Sequence, residues 1–221
     1  MERTIKAHED IVREGEVPVD VHLITSGFAY RYKILPDGTR QIFAYLLPGD
    51  FCDLHVFILD EMDHNIATLS SCTVVDIPRD TILQLTERPA IARALWWATL
   101  VDESTLREAL VNMGRRRAEE RVGHFLCELL VRLEVVGLVS NNTFELPLTQ
   151  AELADTMGLS TVHINRVLQE LRGQKLIAFA RGNVTILNVE ALKTLSGFNP
   201  NYLHLGRHKV KAISPHSLVP A

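Results

Sequence analysis

Thr149-Gln150-Ala151-Glu152-Leu153-Ala154-Asp155-Thr156-Met157-Gly158-Leu159-Ser160-Thr161-Val162-His163-Ile164-Asn165-Arg166-Val167-Leu168-Gln169-Glu170-Leu171 is the stretch whose reading decides the fold. Thr149 with Glu152 three residues on is a reciprocal capping pattern that starts a helix. Leu153 and Met157, one turn apart, give that helix an apolar face. Gly158 supplies the left-handed conformation that ends it, and Ser160 is a good N-cap for a second helix. On the second helix Ile164, Val167, Leu168 and Leu171 form one apolar stripe. Thr161, Val162, Asn165, Arg166 and Gln169 recur on the opposite side. Two short helices around a glycine turn make a helix-turn-helix with the second helix as reader.

The outer face carries the functional information. Asn makes paired hydrogen bonds to adenine and Arg to guanine, so Asn165 and Arg166 are candidate base readers. Thr161, Val162 and Gln169 share their face. Thr149, Gln150, Ser160 and His163 stand near helix N-termini, where phosphate is favoured. The bland alternative is a helical hairpin in an ordinary α domain, and spacing alone does not separate the two. The next residues do. Leu176-Ile177-Ala178-Phe179 and Val184-Thr185-Ile186-Leu187 flank Arg181-Gly182-Asn183, which reads as a β-hairpin. A helix-turn-helix followed by a hairpin is a winged helix, with Arg181 at the wing tip for a phosphate contact.

Composition bounds the rest. The 221 residues suffice for one large or two smaller domains, and 47% apolar with 23% charged is ordinary for a soluble globular chain. The sequence has no apolar run of membrane-spanning length and no signal peptide, so no membrane partner and a cytoplasmic location are expected. The net charge of −4 argues against bulk polyanion binding but leaves room for a local basic surface. The densest basic run, Arg115-Arg116-Arg117 with Arg121, is read as a solvated helix face or as partners for Glu119 and Glu120. Cys52, Cys72 and Cys127 are scattered in apolar contexts, which excludes a Zn ribbon and suggests buried, inert thiols.

Residues 1–88 are punctuated by Gly15, Gly27, Gly38 and Gly49, spaced 11 or 12 apart in turn settings. Between them Val19, Val21 and Leu23 alternate with Asp20 and His22, and Phe28, Tyr30 and Tyr32 with Arg31 and Lys33. Runs at 42–47, 66–69 and 74–77 complete a set of short strands, as in a jelly roll able to enclose a small ligand. Residues 50–65 break the rhythm. Phe51, Cys52, Asp53, Leu54, His55, His64 and Asn65 are therefore the candidate lining of an effector pocket. Cys52, Asp53, His55 and His64 fit no firm metal-ligand spacing, and no metal ligand is assigned. Asp53, His55, Asp60, Glu61, Asp63 and His64 read instead as ordinary core and solvated-loop residues. Catalytic triads or paired carboxylates cannot be assembled, so no enzyme is expected.

Pro89 opens a long helix to Met113, free of Gly and Pro, with an apolar seam suited to packing on the roll and on a second copy. Gly114 reads as an interruption and hinge. A second helix is expected from Arg115 to Val136, then a strand at 144–147. The order is thus a roll over 1–88, a long helix over 89–113, a winged helix-turn-helix unit over 114–205 and a mobile tail over 206–221.

In this order the chain resembles the Crp–Fnr family of bacterial transcription regulators over residues 8–205. The matches are Pro48-Gly49-Asp50-Phe51 closing the roll, Gly114 to Arg121 followed by Phe125-Leu126, and Leu148 to Arg166. The resemblance implies that the roll over 1–88 is a cyclic-nucleotide-binding-like sensor domain, and that the helix over 89–113 is a dimerisation helix joining a homodimer. It also implies a double-stranded, two-fold-symmetric DNA site, an effector or redox or gas signal that repositions the readers, and RNA polymerase as a partner if the chain activates. Cyclic-AMP-binding relatives carry Gly-Glu-Leu after Pro-Gly-Asp-Phe and an Arg-Ser pair further on. Here Cys52-Asp53-Leu54-His55 follows and no Arg lies between Arg40 and Arg79, so cyclic AMP is not expected. With no Cys before Cys52, an iron–sulfur cluster is not expected either. No cofactor is assigned and the effector stays unnamed. At the reader the family's Arg-Glu is replaced by Thr161-Val162, and Val162 cannot accept from a cytosine amine. The expected fold is α+β: an N-terminal antiparallel β-roll, a long helix and a winged helix-turn-helix. The competing function is a ligand-binding module whose winged helix contacts protein.

Overall fold

The computed structural model describes residues 1–59 and 61–205; the expectations for Asp60 and for the 206–221 tail lie outside the described residues. Two antiparallel sheets form the roll. One has the order β1(Glu2–Ile5), β7(Cys72–Pro78), β3(Asp20–Ser26), the other β2(Asp10–Val12), β6(Asn65–Thr68), β4(Ala29–Ile34), β5(Arg40–Leu46). Ile5, Val21, Ile24 and Val74 of one sheet meet Val12, Ala29, Leu46 and Ile66 of the other. Gly27 turns β3 into β4 at φ +81°, and a Cβ there would lie 2.3 Å from the Ser71 carbonyl oxygen. Only glycine fits that approach.

Two of the polar residues placed on the open side of the strands are buried. His22 is 7% exposed and Arg31 5%. Both find polar partners: His22 bonds Asp53, and Arg31, on the side of β4 opposite Tyr30 and Tyr32, donates to the Cys52 and Phe51 carbonyls and to Asp102. Tyr30, Tyr32, Ile42 and Tyr45 on the outer side of the four-stranded sheet join a core with the C-terminal helices. β1 and β2 have no counterpart among the strands read from sequence. Each buries one residue, Ile5 and Val12, too few to mark a period of two.

After α1(Arg79–Thr86), the long helix α2 spans Pro89–Arg115 and passes through Gly114 without a break. The expected interruption at Gly114 is therefore corrected. The turn falls at Arg116, whose φ/ψ of −80°/145° is extended, and α3 runs Ala118–Val135. Nor is the Arg115–Arg117 run one helix face. Arg116 pairs with Glu108 at 2.6 Å, and the Arg117 amide donates to Glu120 Oε2 at 2.9 Å.

The C-terminal unit is β8(Thr143–Glu145), α4(Gln150–Met157), α5(Thr161–Gly173), β9(Ile177–Ala180), β10(Asn183–Ile186) and α6(Val189–Ser196), with the sheet ordered β8-β10-β9. Helix α6 was not read from sequence, although Asn188 caps its start and Gly197, at φ +60°, its end. It packs on α3, where a Cβ on Gly123 would stand 3.1 Å from Leu192 Cδ1. Among the described residues no helix is long and apolar enough to cross a membrane.

Candidate nucleic-acid interface and sensor cavity

The reader is built locally. Thr149 Oγ1 accepts from the Glu152 amide at 3.1 Å, and Glu152 Oε2 accepts from the Thr149 amide at 2.8 Å. Gly158 closes α4 at φ +60°, and Ser160 Oγ accepts from the His163 amide at 3.3 Å to open α5. Ile164, Val167, Leu168 and Leu171 are buried in the domain core. Thr161, Arg166 and Gln169 are exposed on the opposite side with Val162, which is 70% exposed, while His163 and Asn165 are half-buried at its margins.

Thr149 and Gln150 are exposed at the start of α4. The Thr149 hydroxyl also donates to Glu152 Oε2 at 2.8 Å, so its own cap already uses it. In the wing, Arg181 and Gly182 have φ of +52° and +79°, the pair of left-handed residues that a tight hairpin needs. The exposed Arg181 is thereby held at the tip. Arg172, which sequence reading passed over, stacks its guanidinium 5.0 Å above the Phe179 ring and ties the reader helix to the wing.

The reader unit is fastened to the rest of the chain. Arg121, from the basic run, donates to the Met157 and Met113 carbonyls, the latter at 3.1 Å, joining the ends of α4 and α2. Gly158 sits against the same place: a Cβ there would come 2.6 Å from Met113 Cε. On the roll side Arg40 Nε donates to Asp155 Oδ2 at 2.8 Å, and Tyr45 shares a hydrogen bond with Thr156.

A cavity of about 270 Å³ lies between the roll, α2 and the end of α3. Of the seven candidate lining residues, Phe51, Leu54 and His55 border it. The other four face elsewhere. Cys52 and Asp53 are fully buried; Asp53 accepts from the His22 amide at 2.7 Å and bonds the His22 ring. Asn65 Oδ1 accepts from the Glu14 amide at 3.1 Å, and His64 packs beside His55.

Sequence reading missed the charged walls of the cavity, Arg31, Asp50, Asp102 and Arg132. Arg31 donates to the Cys52 carbonyl at 3.0 Å, to the Phe51 carbonyl at 3.1 Å and to Asp102. Arg132 donates to the Tyr45 carbonyl at 2.9 Å and to Asp50 at 2.8 Å. Both guanidinium groups thus already hold a carboxylate. Burial, with the charges of Arg31 and His64, lowers the pKa of His55, against the opposing pull of Asp53 and Asp63. The three thiols are buried and free of disulfides, and burial pushes Cys72 and Cys127 up to about 11.

A model of the Crp-like helix-turn-helix domain matches residues 120–195, and one of the cyclic nucleotide-binding domain matches residues 2–89. The nitrogen fixation regulation protein FixK of Bradyrhizobium diazoefficiens is 30% identical over 192 residues, 83% of this chain and 78% of that protein. The transcriptional activatory protein AadR of Rhodopseudomonas palustris is 31% identical over 192 residues, 85% of this chain and 78% of that protein. The solved structure of FixK2 from Bradyrhizobium japonicum is similar with a TM-score of 0.81 at 26% identity, covering 88% of this chain and 96% of that one.

Proposed function

Because the chain belongs to the Crp–Fnr family of DNA-binding transcription regulators, we propose that it binds a two-fold-symmetric operator as a homodimer and answers to a small uncharged effector. It is a regulator and not an enzyme, and regulators of this family function as dimers. The observation that carries the reading is the split of α5: four buried apolar side chains on one side, and Thr161, Val162, Arg166 and Gln169 open to a partner on the other. In our reading Arg166 takes guanine, Asn165 adenine and Val162 a thymine methyl. Gln150, Ser160, His163 and Arg181 meet phosphate, with Thr149 serving the cap. The exposed apolar residues of α2, Trp96, Leu100 and Leu110 among them, form the dimer seam.

The effector enters the cavity beside α2. Arg31 and Arg132 are each matched by a carboxylate, so a phosphate there would have to displace Asp102 or Asp50. That favours an uncharged ligand over a cyclic nucleotide. We assign no resident iron–sulfur cluster. We infer a cytoplasmic location, and a contact with RNA polymerase if the chain activates, as AadR does by name.

Operator selection followed by fluorescence anisotropy tests the proposal. The dimer should bind the selected site with an affinity that falls steeply with salt, as counterion release requires. Arg166→Ala should weaken selective binding by roughly 10- to 100-fold without altering the dimer. Wild-type selectivity in that variant would refute the reader assignment. The rival function, a wing that contacts protein, predicts no selected site.

A further inference from the structure

The excursion between the two halves of the roll brings together three residues that neither the reader nor the charge pairs of the cavity employ. One donor atom from each of His55, Asp63 and His64 lies within 4.8 Å of the other two. The two imidazole rings are 5.7 Å apart, centroid to centroid. His64 is 8% exposed, and its Nδ1 is hydrogen-bonded to Asp63. Its Nε2 is buried without a hydrogen-bond partner. A buried nitrogen left unmatched costs on the order of 1–3 kcal/mol, and folded proteins rarely keep one that nothing meets.

We propose that His55, Asp63 and His64 hold a divalent transition-metal ion of the zinc class. Two imidazoles and one carboxylate select such an ion over magnesium or calcium, which prefer oxygen alone. Three protein donors leave a position open for water or an outside ligand. Donors on a tetrahedral ion stand roughly 3.3 Å apart, given bonds of roughly 2.0–2.1 Å, so the cluster must tighten on loading. It has the means. His64 is anchored next to β6 with the Phe43 ring set edgewise 5.5 Å from its own, whereas the Asp63 side chain is 83% exposed and able to swing inward. His55 belongs to the short 3-10 turn Leu54–Phe57 and also borders the cavity, which puts the ion in the cavity wall. Seven residues lie between His55 and Asp63, which is why no ligand motif is visible in the sequence.

Full-length chain freed of metal with a chelator, then titrated with Co²⁺ and Zn²⁺, tests the site. We expect one Co²⁺ per chain with the visible bands of a low-coordinate site, displaced by Zn²⁺. His55→Gln and Asp63→Asn, both outside the tightly packed core, should each weaken binding by at least about tenfold, as loss of one of three ligands requires. Circular dichroism checks that they fold. The double variant His208→Gln/His216→Gln should bind as wild type. Absence of stoichiometric Co²⁺ binding would overturn the proposal, as would binding that survives His55→Gln and Asp63→Asn or disappears with the double variant.

Discussion

Arg40 on the roll and Asp155 on the first helix of the reader meet through two nitrogen–oxygen contacts of 2.8 Å. The pair links segments 115 residues apart, and Gln41 reinforces it by donating to the Thr156 carbonyl at 3.3 Å. With both side chains about 30% exposed, the pair is screened and worth less than about 1 kcal/mol in stability. Its consequence is positional. Arg40→Gln and Asp155→Asn should each shift the melting temperature by only a few degrees, yet move operator affinity in the same direction by about threefold or more. Unchanged affinity in both variants would show that this contact does not set the reader's pose.

By the family resemblance, Val162 stands where relatives present a glutamate to cytosine, and in the proposed reading it faces the groove. Nothing on the helix prevents a longer side chain, because the residue is 70% exposed. Val162→Glu should therefore fold normally and gain a preference for cytosine at one position of each half-site, by roughly 1–3 kcal/mol. Operator selection on both proteins reads this directly. If the same base is selected at every position, Val162 does not face the groove.

The reader was legible because its signals are local. The Thr149–Glu152 cap, the left-handed Gly158 and the apolar stripe of α5 all lie within a few residues of what they determine. The cavity was not legible, because its walls are joined over long separations: Arg31 to Asp102 spans 71 residues and Arg132 to Asp50 spans 82. His22 and Arg31 misled for a related reason. Alternation marks which residues share a face but not what meets that face, and their partners are far along the chain: Asp53 for His22, and the Phe51 and Cys52 carbonyls with Asp102 for Arg31. At Gly114 the signal was real but weak, since a glycine within a helix costs only about 1 kcal/mol and neighbouring contacts outweigh it.

Leu110 is 73% exposed and Trp96 68%, and with Leu100 between them they make an apolar stripe along α2. If this stripe is the dimer seam, as proposed, a charge placed on it would be buried unpaired in the dimer. Leu110→Arg should shift sedimentation toward the monomer at micromolar concentration and reduce operator affinity by at least about tenfold, since one half-site alone is then gripped. A dimer that persists in this variant would move the interface off α2.

His124 makes stability depend on mildly acidic pH. It is 2% exposed, stacked on Tyr202 at 5.9 Å, and its Nε2 lies 3.2 Å from Glu108 Oε1 without hydrogen-bonding geometry. Burial, helped by the charge of Arg116 and opposed by Glu108, pushes it down to about 4. In the unfolded chain an imidazole titrates near ~6.5. Between those values the unfolded chain binds a proton that the fold refuses, so stability falls as pH drops through that window and is unaffected by this group above it. The loss at pH 5 is roughly 2 kcal/mol. His124→Phe keeps the aromatic stack and removes the titration. Urea unfolding at pH 7.5 and 5, at fixed protein concentration, should show the wild type losing about 2 kcal/mol more than the variant over that interval. An equal loss in both would mean that the imidazole is protonated in the fold, with Glu108 as its partner.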